Sequence, residues 1–377
     1  MTEEHKAVAD GPGLYVHVPF CRGKCAYCAF YSTVQESWMP DYVDALLREA
    51  DGYRDRFGPV DTLYVGGGTP SLLSAPLLRR MLRGLRRRFA WVEDCEVTLE
   101  ANPEDVSGDA VALWADEGIT RVSVGVQVLD EALLKRLGRR HTACRALEAL
   151  ETLRRAESFH LSVDLMWAVP GQSLSQWMKT LKDVLSFNPE HLSCYELSVE
   201  PGTPLANSVA QERLFRPSED TLCVFFETTS NFLQDRGYIH YEISNYARSE
   251  KWMSRHNGKY WRRVPYLGLG PGAHSFDGQR RWANVRSVAR YVAQLRDGAS
   301  CVDFMEELSA EQARLERLFL GFRTREGVPM DVVGADEAAV SAVHKAQADG
   351  LVQVRDGFVV PTRNGWLVAD RLPLLFP

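Results

Sequence analysis

Cys21, Cys25 and Cys28 fall within eight residues of a 377-residue chain that holds eight cysteines in all. Three thiolates spaced C-x3-C-x2-C can wrap one iron–sulfur cubane, because soft sulfur ligands suit iron–sulfur chemistry. A cubane usually takes four cysteines, so a local set of three leaves one iron without a protein ligand and able to chelate a small molecule. Structural zinc is the alternative. It needs a fourth ligand and usually draws on paired C-x2-C or H-x3-H units. No second such pair occurs in the sequence, and the spacing favours a cluster. The remaining cysteines, Cys95, Cys144, Cys194, Cys223 and Cys301, are scattered. They are expected to be small buried hydrophobes rather than a disulfide scaffold.

The cysteine run follows directly on an apolar, β-branched segment, Leu14–Phe20. Similar segments recur at Thr62–Val65, Glu96–Leu99, Arg121–Val126, Leu161–Trp167 and His191–Leu197. Helix-patterned stretches such as Pro40–Phe57, Ala75–Phe89 and Gln172–Phe187 separate them. Six βα repeats predict an α/β fold with a parallel sheet and helices outside. They are too few for a closed eight-fold barrel, which leaves a partial (β/α)6 barrel. Ligands in parallel α/β sheets sit at the carboxyl ends of the strands, so the residues there matter most. Gly66-Gly67-Gly68-Thr69-Pro70 closes the second strand, where glycines let a backbone approach a ligand closely. Glu100 follows the third strand, Gln127 ends the fourth, and Asp164 lies near the end of the fifth. Arg139 sits in Leu137-Gly-Arg-Arg-His141. Taken singly, Glu100 could cap a turn and Arg139 could be a surface cation. As a set at successive strand ends they favour ligand contact.

The run from Tyr15-Val-His-Val-Pro-Phe-Cys21 through Phe30 resembles the radical S-adenosylmethionine (SAM) signature of the oxygen-independent coproporphyrinogen III oxidase-like family. The resemblance spans nearly the whole chain. It implies that Cys21, Cys25 and Cys28 hold a [4Fe–4S] cluster whose open iron binds the amino and carboxylate groups of SAM. Reductive cleavage to methionine and a 5′-deoxyadenosyl radical would follow. It further implies that Gly67, Gly68 and Thr69 lie along the methionyl part, that Tyr15, Glu100, Gln127, Arg139 and Asp164 contact SAM, and that Phe30 borders it. One departure is Trp167-Ala168, where the family more often has Tyr-Gly; the larger Trp167 is expected to reshape the pocket floor.

Two features separate the branches of that family. The decarboxylases carry a fourth cysteine two residues past the third, where this chain has Phe30. They also have a longer N-terminal segment, whereas thirteen residues precede the first apolar segment here. His256-Asn257-Gly258-Lys259-Tyr260-Trp261 is similar to the H-N-x-x-Y-W motif of the haem chaperone branch. This implies that His256 ligates haem iron and that Tyr260 and Trp261 offer flat apolar surface to the macrocycle. Arg262 and Arg263 could pair with its propionates. On local chemistry alone, a histidine among aromatics is more often a core residue. His274, in a segment resembling the family's G-x-G-x-G-A-H, is the second candidate.

Beyond residue 200 a helix is predicted over Ser218–Arg236, then an aromatic, loop-rich stretch to Trp282. From Ser309 helices lead to a hairpin, with Val352–Val354 and Phe358–Val360 flanking Asp356-Gly357. The expected organisation is a cluster- and SAM-binding partial barrel over 1–200, a linking and haem-motif region over 201–305, and a C-terminal α+β region over 306–377 ending in a winged-helix-like tail. Net charge is −6, and the wing's second helix region, Asp336–Asp349, is not basic, so a nucleic-acid partner is not expected. Arg86, Arg87 and Arg88 are expected on a solvated helix face. No apolar run reaches a membrane span and no secretory leader is visible, so a cytoplasmic protein with at most peripheral contact at the inner membrane face is expected. The expected cofactors are a [4Fe–4S] cluster, SAM and haem. The expected partners are acceptor haemoproteins, with respiratory enzymes at the membrane as candidates, and an electron donor such as flavodoxin or ferredoxin. A homodimer is compatible with the sequence. The rival functions are coproporphyrinogen decarboxylation, another radical SAM tetrapyrrole reaction and a DNA-binding regulator.

Overall fold

A computed structural model describes residues 10–54 and 56–376. The six apolar segments form β1 (Gly13–Val18), β2 (Val60–Gly67), β3 (Trp91–Ala101), β4 (Arg121–Gln127), β5 (His160–Trp167) and β6 (His191–Glu196). Each pairs parallel with the next in sequence order. Residues such as Val122, Val124 and Val126 are wholly buried, as strands covered by helices require. The helices Met39–Asp51, Ala75–Arg86, Ala143–Ala156 and Leu174–Leu185 bury their apolar faces in the same core. The partial barrel is therefore present.

Local chemistry sets the element ends. Ser173 and Gln176 form a capping box at the start of Leu174–Leu185. Gly138, at φ 72°, ends the helix Glu131–Leu137 in the left-handed region. The first helix stops at Asp51, capped by Gly52, rather than reaching Phe57. β3 starts at Trp91, earlier than its apolar pattern suggested, because Glu93 and Asp94 stand exposed on it.

The same sheet continues at both edges. β7 (Ile239–Glu242) and β8 (Asn245–Ala247) add antiparallel strands beside β6. On the other side β9 (Tyr266–Leu269) pairs parallel with β1. It is followed by antiparallel β10 (His274–Phe276), β11 (Arg280–Asn284) and β12 (Val302–Glu307). The stretch expected to link thus builds half of a twelve-stranded sheet. Fully buried Glu49, on the first helix, fastens this extension. It accepts from Gly270 N at 2.8 Å, Asn284 Nδ2 at 2.6 Å and the Tyr291 hydroxyl. Burial pushes its carboxyl up to about 7.

The C-terminal region has its own three-stranded sheet, β13 (Val328–Pro329), β14 (Val352–Arg355) and β15 (Phe358–Pro361), in the order β13-β15-β14. Its core includes Leu318, Phe322, Val333 and Val343. Asp356 and Gly357, at φ 52° and 81°, make the tight turn of the hairpin. With the helices Ala310–Gly321 and Glu337–Ala348, this is the winged-helix-like tail.

Two expectations need correcting. Cys144 is exposed: it lies in the first turn of Ala143–Ala156, its thiol 3.5 Å from Glu148 Oε1. Arg86 and Arg87 are solvated, but Arg88 folds back onto the carbonyls of Leu47 and Gly84 at 2.9 and 3.0 Å. Among the described residues no helix is long and apolar enough to cross a membrane.

Candidate functional site

The cysteine loop leaves the end of β1 and is pinned on several sides. Cys21 N donates to Thr33 O at 3.0 Å and Thr33 N to Pro19 O at 2.7 Å, closing the loop on itself. Ala26 N donates to Leu137 O at 2.9 Å, seating the loop on the end of the helix Glu131–Leu137. A Cβ on Gly138 would come within 3.2 Å of that amide. From the far side Leu205 N donates to Ala26 O at 2.9 Å.

This loop roofs a cavity of about 560 Å³ at the carboxyl ends of the strands. Cys21, Cys25 and Cys28 line it together with Phe30, Gly67, Gly68, Thr69, Glu100, Gln127, Arg139 and Asp164. Among the described residues no three His, Cys, Asp or Glu side chains converge on one metal-ion position. The thiols instead edge a cavity, a donor set that suits a multi-iron cluster. Thr69 Oγ1 donates to Cys21 Sγ at 3.4 Å and Arg139 Nη1 to Cys25 Sγ at 3.6 Å. Such donors stabilise negative charge on sulfur. Burial raises the Cys21 and Cys28 thiols, so metal loading must displace their protons.

Below the loop the backbone and carboxylates are tightly fitted. A Cβ on Gly68 would lie 2.8 Å from the carbonyls of Val18 and Phe20, and one on Gly66 would lie 2.9 Å from the Glu100 carboxylate. Glu100 accepts from Tyr64 Oη at 2.7 Å and from Gly67 N at 3.0 Å. Burial, together with the charge of Asp164, lifts Glu100 to about 7. Asp164 accepts from Ser123 Oγ at 3.1 Å and is also raised by burial. Arg139 donates to Asn102 Oδ1 at 2.6 Å and Gly125 O at 2.7 Å, while its Nε is buried without a partner. Gln127 holds φ 65° where the β4–β5 register slips, local strain of the kind that accumulates at binding sites.

Some expected residues stand elsewhere. Tyr15 is not among the cavity's lining residues; its hydroxyl is 2.9 Å from His17 Nδ1 inside the barrel. Trp167 does not reshape the floor. Its indole donates to Cys194 O at 3.0 Å and stacks on Phe225, behind the sheet. Ala168 takes φ 60°, a conformation that favours glycine. The lining also includes Asn102, Ser123 and Tyr195. Asn102 follows Glu100 by two residues and Tyr195 is the last but one of β6, so the strand-end rule could have found both.

The histidine motif forms the helix Arg255–Trp261 at the other end of the barrel. His256 is 0% exposed. Its Nδ1 is 2.8 Å from Thr62 Oγ1 and its Nε2 is 2.9 Å from Tyr260 Oη. Thr62 pairs with Gly13 at the start of β1, about 16 Å along β2 from Gly67 at strand spacing. Burial lowers the imidazole to about 3, leaving it neutral. Both ring nitrogens of His256, the residue expected to ligate haem iron, are thus engaged by neighbouring hydroxyls. The helix is further held by Glu96, which accepts from the amides of Arg255 and His256 at 3.2 and 3.0 Å. Lys259 is 1% exposed and pairs with Asp61 at 2.7 Å. His274 lies exposed at the start of β10.

Residues 15–184 match the Radical SAM superfamily, and residues 308–368 match the HemN C-terminal domain. The chain is 36% identical over 365 residues to the heme chaperone HemW of Mycobacterium tuberculosis (strain ATCC 25618 / H37Rv), covering 95% of this chain and 93% of that protein. It is 38% identical over 265 residues to HemW of Escherichia coli (strain K12), 69% of each. It is 34% identical to the mitochondrial radical S-adenosyl methionine domain-containing protein 1 of Bos taurus, over 84% of this chain and 69% of that one. Among solved structures, coproporphyrinogen III oxidase (HemN) from Escherichia coli superposes with a TM-score of 0.83 at 23% identity, covering 97% of this chain and 90% of that one. That likeness is one of fold.

Proposed function

We propose that this chain, which belongs to the HemW family of radical SAM proteins, is a haem chaperone that binds haem and hands it to acceptor haemoproteins. The observation that carries the reading is 36% identity to a HemW protein across 95% of the chain. Phe30 agrees with it: a phenyl ring, 67% exposed, stands at the cavity edge where a decarboxylase would place a fourth cysteine. In this reading Cys21, Cys25 and Cys28 hold a [4Fe–4S] cluster, and the cluster with SAM at its open iron supplies one-electron chemistry. The chain's own residues position the ligand. Gly67, Gly68 and Thr69 present backbone along one side, Glu100, Gln127 and Asp164 accept from hydroxyl and amine groups, and Arg139 orients carboxylate and cysteine sulfur. Tyr15 acts from behind, through the interior polar groups.

Haem is the cargo. His256 fastens the helix that carries Tyr260 and Trp261 and leads into Arg262 and Arg263, and direct iron ligation by its Nε2 would require Tyr260 to move. The acceptors proposed are respiratory haemoproteins, met at the cytoplasmic membrane face, with flavodoxin or ferredoxin as electron donor. By function, residues 1–200 bind the cluster and SAM, 201–305 carry the haem motif, and 306–377 form the winged-helix-like C-terminal domain.

The test is anaerobic incubation of cluster-loaded protein with coproporphyrinogen III, SAM and reductant. The expected result is no decarboxylated product. Sustained turnover would establish the decarboxylase reading instead.

A pH test addresses the SAM residues. Glu100 is a neutral acid below about 7 and a carboxylate above it. SAM affinity should therefore rise from about pH 6 to about pH 8, since the ligand carries a cationic sulfonium. Glu100→Gln should flatten that rise. The same elevated value means that this group favours the folded state at low pH and loses that contribution as pH rises through about 7. A SAM titration that is flat in the wild type would remove Glu100 from the binding set.

A further inference from the structure

A second cleft, of about 690 Å³, opens between the helix Arg255–Trp261 and the C-terminal region. It is larger than the cluster cavity and lies beside the other end of the barrel. Its apolar surface comes from Trp261, Val332, Phe358 and Val360. Its charge is unlike that of the chain as a whole. Arg262, Arg263, Arg317, Arg325 and Arg355 line it against Glu326 and Asp356, five cations to two anions, in a protein of net charge −6.

The cations are unevenly satisfied. Arg262 pairs with Asp10 and Arg325 with Glu250 and Glu326. Among the described residues Arg317 and Arg355 make no ion pair. The Arg263 side chain is 6% exposed; its Nε donates to Glu316 at 2.6 Å, but its Nη2 is buried without a partner. The Trp261 indole N–H, in the same cleft, is also buried and unpartnered. Buried donors left open cost free energy unless an acceptor reaches them. An aromatic, apolar slot rimmed by the exposed, unpaired guanidinium groups of Arg317 and Arg355 fits a flat apolar ligand that carries carboxylates.

The geometry points to this cleft as the seat of the haem, held by its ring faces and propionates with no iron ligand from the cleft. The inference rests on the haem chaperone reading and gives it a place. Among the described lining residues there is no histidine, cysteine, methionine or tyrosine. The iron would stay free for the acceptor's ligand, as handover of a cargo requires. The wing contributes Arg355 and Phe358 to the binding surface, a use for a winged tail that nucleic acid does not need.

The test is a spectroscopic titration of the full chain with haem, iron-free protoporphyrin IX and haem dimethyl ester. The variants are Arg317→Glu/Arg355→Glu, Phe358→Ala and His256→Ala. A control pair, Arg56→Glu/Arg280→Glu, alters a cleft of about 650 Å³ elsewhere. Removing two carboxylate partners should weaken haem and protoporphyrin IX alike by roughly thirty-fold or more in the double variant. Phe358→Ala should weaken both about ten-fold. The control pair should stay within about two-fold of wild type, and the dimethyl ester should bind wild type at least about ten-fold more weakly than haem. His256→Ala, if it weakens binding by loosening the helix, should weaken haem and the iron-free ring equally. Wild-type haem affinity retained in both cleft variants would overturn the inference while leaving the chaperone reading intact. So would a loss in His256→Ala that is confined to haem. A wild-type protein that binds no haem would remove the chaperone reading itself.

Discussion

Replacing Cys21, Cys25 and Cys28 together with alanine should take the anaerobically reconstituted protein from about four irons and four sulfides per chain to essentially none. The size of the effect follows from the geometry. These three thiols edge one cavity, and the remaining cysteines lie away from it. Cys194 and Cys301 are buried in the core, and Cys144 sits on the exposed face of its helix. None can substitute as a ligand. Cys95→Ala and Cys144→Ala should keep full iron, sulfide and charge-transfer absorbance. The fold should survive the triple change, because the loop is pinned by backbone bonds from Cys21, Ala26 and Thr33 that alanine preserves. Iron and sulfide analysis with the visible spectrum reads the outcome. A full cluster in the triple variant would refute the assignment of these ligands.

Lys259→Met should lower the unfolding free energy by about 3–5 kcal/mol, a large share of the stability of a typical protein. The Lys259 ammonium is buried at the root of the histidine motif. It contacts Asp61 at 2.7 Å and donates to the Gly11 carbonyl at 2.7 Å. Removing it leaves the Asp61 carboxylate, 9% exposed, without its main counter-charge; Arg255 is 3.8 Å away. Asp61→Leu should cost a similar amount by stranding the lysine. The double variant should recover much of the loss, since replacing both members of a buried pair with apolar groups is often nearly neutral. Urea denaturation of the four proteins measures this. Additive losses in the double variant would mean that the two residues do not act as a pair.

Much of this was legible in the sequence, for physical reasons. Parallel strands buried on both faces read as continuous β-branched runs, and so β1 to β6 were visible within a few residues. The cavity was legible because strand ends in such sheets converge: Glu100, Gln127 and Asp164, far apart in the chain, line one space. The placement of Tyr15 was not legible, because a strand residue next to a ligand loop can turn into the barrel, where its hydroxyl meets His17. The short strands β7 to β12 escaped because three to six residues hold too little alternation to distinguish from loop. His256 shows the limit of a motif. The six residues mark a family, but not how the imidazole is packed, and only the folded chain shows both ring nitrogens against Thr62 and Tyr260. The unpartnered donors of Arg263 and Trp261 depend on how the C-terminal region docks, which no local pattern encodes.

A haem chaperone must deliver haem to another protein. The most direct measurement loads the protein with haem, mixes it with the apo-form of a respiratory haemoprotein, and follows recovery of the acceptor's spectrum and activity with an excess of a free-haem scavenger present. The acceptor should be restored by the loaded protein and not by the same amount of free haem. An acceptor left in its apo-form, with haem retained by this chain or lost to the scavenger, would contradict the chaperone reading.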